Sequence, residues 1–145
     1  MALTYKLLVL AMAAQVLLTL VILVRLGMER VPRVARGEVD AARIAVDRSG
    51  WHLKAQLLSN SYDSQFQLPV LFFVAVLVTL QTGASGWLEA GLACLFVASR
   101  YAHAYIHTTS NVLYPRFFVF CAGLAILAIF WLWLVLRLFL LVPSV

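Results

Sequence analysis

Charge is scarce in this sequence: only 12% of its 145 residues are Asp, Glu, Lys or Arg. A soluble globular domain carries about twice that share. With 64% of residues hydrophobic, the balance makes lipid the main solvent. Histidine is scarcer still, at three residues, which excludes a histidine-rich di-iron membrane oxygenase on ligand count. The two cysteines, Cys94 and Cys121, each fall inside an apolar run. They exclude a disulfide framework and read as small buried hydrophobes. No Gly-x-Ser-x-Gly, phosphate-binding loop or dinucleotide fingerprint occurs. Internal repeats and low-complexity tracts are also missing, which argues against a transporter.

What remains is a chain of long apolar runs. A membrane helix needs about 20 residues, so four helices and one substantial loop are expected to fill the chain as a single domain. The expected fold is an all-α integral membrane four-helix bundle, with spans near residues 5–26, 57–81, 87–107 and 116–138. Any chemistry must then be built from the bundle itself. Leu7 to Val24 is apolar except for Gln15 and Thr19, and Arg25 stops it. It is longer than a signal-peptide core and lacks a small-x-small cleavage site, so it reads as a retained first span.

The net charge of +5 is concentrated in one place. Arg25, Arg30, Arg33, Arg36, Arg43, Arg48 and Lys54 lie together after the first span, interleaved with Glu29, Glu38, Asp40 and Asp47. Flanking membrane spans explain this charge through the positive-inside rule, so no nucleic-acid partner is expected. The loop at 27–50 is then cytoplasmic and both termini lie outside. Pro32 and Gly37 are expected to break its first half. Glu38 to Arg48 suits a short helix, with acids early and bases late. Asp40, Arg43 and Asp47 are spaced there for local ion pairs.

The second span carries the most information. Its uninterrupted apolar run, Leu68 to Leu80, has 13 residues and is too short to cross a bilayer. To span, the helix must extend back through Leu57, which carries Asn60, Asp63, Ser64, Gln65 and Gln67 to membrane depth. Positions 56, 60, 63, 64 and 67 share one helical face. Lipid offers that face no hydrogen bonds, so it must meet other helices or a wet cavity. Pro69 predicts a kink, because it removes a backbone donor and frees the Gln65 carbonyl. Gly83 to Gly86 reads as a tight external turn. The third span follows from about Trp87 to Tyr105, with Glu89 at its outer end. Near its inner end Arg100, His103 and His107 share a face, and Arg116 opens the fourth span, Phe117 to Leu136. Trp131 and Trp133 suit the outer interface there.

Two polar faces and Arg116 therefore meet at one depth, on the cytoplasmic half. Basic groups outnumber the one carboxylate, so the site should prefer an anion. The blander alternative is an Asp63–Arg100 ion pair that only fixes helix packing, with Arg116 an interfacial anchor. His103 and His107, at i and i+4, have a spacing that can hold a metal. No carboxylate accompanies them and Cys94 lies far along the helix, so no metal is expected.

The stretches Asp63-Ser-Gln-Phe-Gln-Leu-Pro-Val-Leu-Phe-Phe73 and Arg100-Tyr-Ala-His-Ala-Tyr-Ile-His-Thr-Thr-Ser-Asn111, followed by Arg116, resemble the MAPEG family. Its members are the membrane-associated proteins in eicosanoid and glutathione metabolism, and the nearest likeness is to its bacterial branch. Nine arginines against two lysines hint at a GC-rich bacterial genome, which would place the chain in a bacterial inner membrane. The resemblance implies a homotrimer of four-helix subunits, with glutathione as cofactor between neighbours near the cytoplasmic side. Arg116 matches the family's thiolate-stabilising, catalytic arginine. Arg100, His103 and His107 match the third-span face that reaches the cofactor, with His107 where the prostaglandin synthase branch has tyrosine. The second-span pattern Arg-x-x-x-Asn-x-x-Glu becomes Asn60-x-x-x-Ser64-x-x-Gln67 if Pro69 anchors the comparison. In another register, Asn60 and Asp63 form the Asn-x-x-Glu pair. The implied cofactor-binding set is thus Asn60, Asp63, Ser64, Gln67, Arg100, His103 and His107. The implied activity is glutathione transfer, or peroxide reduction, on lipophilic electrophiles from the bilayer. The alternative is a non-catalytic trimer that binds an anionic lipid or metabolite in the intersubunit cleft.

Overall fold

The computed structural model describes residues 2–141, and every regular element among them is helical. The long helices are α1 (Leu3–Ala35), α3 (Leu53–Asp63), α4 (Leu68–Gln81), α5 (Trp87–Thr108) and α6 (Leu113–Leu136), and α2 (Ala41–Val46) is a short loop helix. Three helical segments are long and apolar enough to cross a membrane by themselves: α1, the combined α3–α4 stretch, and α6 with the turn that follows it. The remaining long helix, α5, has 22 residues, about 33 Å at 1.5 Å per residue. That matches the roughly 30 Å hydrocarbon core. Its composition is more polar because its buried face carries Glu89, Arg100, His103 and His107. Contacts to α1, α3 and α6 keep that face from lipid.

Two apolar clusters with a polar layer between them build the bundle. In the larger cluster Phe72 of α4 stacks on Phe96 of α5, ring centroids 4.8 Å apart, packed with Leu8, Val76, Phe130 and Leu134. The smaller joins Leu18 and Ile22 of α1 to Ala104 of α5, with Tyr62 against them. Along α1 the buried positions run Leu8, Ala11, Gln15, Leu18 and Ile22, a helical stripe. Gln15 is its one amide. It donates to Gln65 Oε1 at 2.9 Å, and Gln65 donates to the Ser61 carbonyl at 2.9 Å. These amides cross-link two helices where lipid offers no hydrogen bonds, while Gln15 Oε1 itself has no partner. Outward-facing Leu10, Leu17, Leu20, Phe118 and Leu132 present the apolar surface expected of a membrane protein.

The expected kink is present and sharper than a bend. After Asp63 the chain tightens into a 3-10 turn, Ser64–Phe66, and Gln67 leaves helical geometry with φ −99° and ψ −102°. Pro69 then sits in the first turn of α4, where its missing N–H costs nothing.

Several expectations are corrected. The first helix does not stop near Arg25; it runs through Gly27 and Pro32 to Ala35. Pro32 sacrifices one backbone hydrogen bond, and Arg33 Nη1 donates to the Glu29 carbonyl at 2.5 Å in the adjoining turn. The helix ends at Gly37, whose φ of +67° suits glycine. There Glu38 N–H reaches the Arg33 carbonyl and Gly37 N–H that of Val34, a Schellman closure. The loop helix is shorter than 38–48, because Asp40 caps it by accepting from Ala42 N–H and Arg43 N–H. Asp47 likewise accepts from Ser49 N–H. Neither aspartate forms an ion pair among the described residues: Asp40 accepts from backbone N–H groups, and Asp47 from the backbone and the hydroxyl of Ser49. Cys94 is exposed and Cys121 half-buried, not buried as expected, because both sit on outward stripes of α5 and α6.

At the far end from the arginine-rich loop, Glu89 is 1% exposed. Trp133 Nε1 donates to it at 2.8 Å and Arg137 pairs with it. Arg137 also donates to the Ala84 carbonyl at 2.7 Å. Trp133 and Arg137 thereby tie α6 to α5 and to the turn before it. At the other end, Glu29 joins Arg33 and Lys54, and Arg30 stacks over Trp51 at 4.6 Å. These contacts fasten the projecting end of α1 to the start of α3.

Candidate functional site

The break between α3 and α4 creates the site. A continuous helix would point Asn60, Ser64 and Gln67 along one straight stripe. The 3-10 turn instead turns that stripe toward α5 and α6, and a cleft of about 310 Å³ opens there. Asn60, Ser64 and Gln67 form one wall, His103 and His107 of α5 the back, and Arg116 with Leu113, Phe117 and Phe120 of α6 the other wall. The volume falls at the lower end of the range for small-molecule sites. Asn60 and Gln67 are exposed at its mouth, whereas Ser64, His103 and His107 are buried in it.

Of the eight residues singled out from the sequence, six line this one cleft. Arg100 stands directly behind it. Only 1% exposed, its guanidinium donates through Nη2 to Ser64 Oγ at 2.7 Å and to the Ser64 carbonyl at 3.2 Å. Its Nε has no partner, and no carboxylate pairs with it among the described residues. Asp63 does not line the cleft. It turns to the surface and pairs with Arg48 from the loop, so the Asp63–Arg100 ion pair weighed from the sequence does not form. A helix sends adjacent residues about 100° apart, so Asp63 cannot follow Ser64 inward. Gln56, on the same sequence stripe, is also drawn away and donates to the Trp51 carbonyl at 2.5 Å.

Arg116 lies in the first turn of α6, which starts at Leu113 and so earlier than expected. Its Nη1 donates to Asn111 Oδ1 at 2.5 Å. Asn111 has φ +49°, a left-handed conformation that asparagine tolerates better than most residues. Its N–H closes the end of α5 on the Ile106 carbonyl at 2.8 Å. This anchoring was not read from the sequence, although an Asn between two helices is a common mark of such a turn.

The cleft is basic and partly apolar. The two imidazoles stand edge to face with centroids 5.7 Å apart, and His103 also meets the ring of Phe120 at 5.9 Å. Each Nδ1 is buried without a partner. No carboxylate lines the cleft. Groups of three or more potential metal ligands do not occur among the described residues. Such a site can take an anion at its polar wall and a hydrophobic group against Leu113, Phe117 and Phe120.

No curated protein and no solved structure matches the chain. The MAPEG family model, by contrast, matches residues 8–136. That match runs from the first buried leucine of α1 to the last residue of α6 and contains every residue of the cleft. A bundle of membrane-crossing helices, a basic cleft at a broken second pass and this match lead to one conclusion: the chain is a membrane protein of the MAPEG family.

Proposed function

We propose that this protein transfers a glutathione-like anionic thiol to lipophilic electrophiles dissolved in the bilayer, or uses that thiol to reduce their peroxides. The observation that carries the reading is the cleft itself. Arg116 and two imidazoles face one another there without a carboxylate, beside the apolar side chains of Leu113, Phe117 and Phe120. A charged thiol donor arriving from water suits the polar wall, and an oily acceptor arriving from lipid suits the other. Holding both in one cleft supplies proximity, and a cation beside sulfur favours the thiolate.

The residues fit a glutathione-like donor in charge type. Arg116, Asn60, Ser64 and Gln67 offer donors to carboxylates and amide carbonyls, and Arg100 supports Ser64 from behind. The exposed polar mouth at Asn60 and Gln67 also favours a homotrimer, because at membrane depth those side chains need a neighbour to cover them. The arginine-rich loop favours a cytoplasmic position for the cleft and external termini, in a bacterial inner membrane.

The test is turnover of a chromogenic electrophile with glutathione against a thiol-free control, using detergent-solubilised protein whose subunit count is read by native mass spectrometry. Turnover by a trimer is the expected result. A monomer that retains glutathione binding would overturn the intersubunit cleft. A second reading, a non-catalytic trimer holding an anionic lipid or metabolite, draws on the second pass, where Gln56, Asn60, Ser64 and Gln67 leave no arginine–glutamate pair. Binding of such an anion without thiol turnover would favour it.

A further inference from the structure

Ionising a thiol releases a proton, and Arg116 cannot receive it, because a guanidinium is already protonated. The other polar side chains of the cleft are Asn60, Ser64 and Gln67, none of which takes up a proton near neutral pH. The nearest carboxylate on α3, Asp63, is turned to the surface against Arg48. That leaves the imidazoles. His103 lies deeper, against Phe120. His107 lies one turn closer to the end of α5, beside the Asn111 turn that holds the guanidinium of Arg116.

We infer that His107 is the proton acceptor for the thiol, a catalytic residue paired with Arg116 as the anion's partner. This rests on the thiol-transfer reading above. In the step, the S–H bond breaks, its proton passes to an imidazole nitrogen of His107, and the sulfur keeps the electron pair beside Arg116. The thiolate then forms the S–C bond to the electrophile. The imidazolium returns its proton to the oxygen released when, for example, an epoxide C–O bond opens. Thiol and epoxide give a hydroxy thioether, so atoms and charge balance with nothing further required. Helix α5 keeps the imidazole on the cleft wall, while burial of His107 shields the exchange from bulk water.

The groups facing His107 are Arg100 and His103 from its own helix and Arg116 from α6, with only neutral side chains from α3. Loss of its base function should therefore change the pH profile in a way that loss of packing would not. The test compares the parent with His107→Gln and His103→Gln, using glutathione and an epoxide from pH 6 to pH 9. General-base catalysis is worth about 10²–10⁴-fold. His107→Gln should lower kcat by about that factor at neutral pH with little change in KM for glutathione. The deficit should shrink as pH rises, because more glutathione then enters the cleft already ionised. Thiolate absorbance in the near ultraviolet on glutathione binding should fall in parallel, while His103→Gln, which alters a binding wall of the cleft, should raise KM for glutathione and keep the parent's pH profile. A His107→Gln variant that follows the parent in kcat and thiolate absorbance across this range overturns the assignment and leaves thiol transfer standing. A parent that neither ionises nor turns over glutathione overturns both.

Discussion

Arg100 rests its guanidinium on Ser64, not on the neighbouring Asp63, so the most deeply buried cation of the bundle is held by a hydroxyl and a carbonyl. A hydrogen bond to a charged group contributes about 1.5–3 kcal/mol. Ser64→Ala should therefore lower stability by roughly that amount, read as thermal unfolding in detergent. An Asp63→Asn variant should unfold like the parent, because Asp63 pairs only with exposed Arg48. Equal unfolding temperatures for Ser64→Ala and the parent would remove Ser64 as the support of Arg100.

Arg116 offers a second measurement. If its planar fork holds a thiolate, lysine does not replace it, and Arg116→Lys should lose about ten- to a hundredfold in turnover. An interfacial anchor would tolerate that change. Asn111→Gly keeps the left-handed backbone and removes only the side-chain acceptor. Its fold should persist while turnover drops. Asn111→Ala should add about 1–2 kcal/mol of backbone strain to the same loss. Parent-like turnover in all three variants would make the arginine an anchor.

At the opposite end of the bundle, Arg137→Ala should be costly. It leaves the Glu89 carboxylate buried with Trp133 as its remaining partner, and breaking a buried pair costs about 3–5 kcal/mol. Glu89→Gln together with Arg137→Met should recover part of the loss, which a double-mutant cycle in thermal unfolding would reveal. Thiol turnover at low temperature should be unaffected by either change. Additive losses would mean that the two side chains act separately.

Glu29 lies beyond the apolar part of α1, in the turns that project into water. Hydrogen bonding to Lys54 and then Arg33 holds its carboxyl at about 2, below the ordinary 4.5. A depressed folded-state value means stability that is complete above the unfolded value and declines as pH falls toward the folded one. The gap in unfolding temperature between parent and Glu29→Gln should thus be constant above about pH 5 and narrow below it. A gap independent of pH would remove the carboxylate as its cause.

Much of this was legible before any coordinates. The 13-residue apolar run forced polar residues to membrane depth, and Pro69 marked where the second pass breaks. Six of the eight expected side chains do share a cleft. The partners of Asp63 and Glu89 were not legible, because Arg48 and Arg137 reach them over 15 and 48 positions of chain. Periodicity reports a residue's face but not which distant side chain arrives there. The length of α1 was missed for another reason. Gly27 and Pro32 are local breakers, whereas the contacts of Lys54 with Glu29 and of Trp51 with Arg30 that hold the helix are tertiary.

Membrane orientation follows from labelling. In a background with exposed Cys94 and half-buried Cys121 replaced, Arg43→Cys and Thr82→Cys place single thiols at exposed positions on opposite sides of the bundle. A membrane-impermeant reagent applied to intact cells should modify position 82 and spare position 43. The reverse pattern would invert the topology.

The 33-residue length of α1 also bears on how a ligand arrives. At 1.5 Å per residue the helix is about 50 Å long, roughly 20 Å more than the hydrocarbon core it crosses. Its last turns, which carry Glu29, Arg30 and Arg33, therefore extend past the apolar part of the helix. At physiological ionic strength fields fade over about 8 Å, so charges at that height should act on anions in solution before those anions reach the membrane surface. Capture of the proposed anionic donor should then depend on salt through its association rate, and its release on the short contacts inside the cleft.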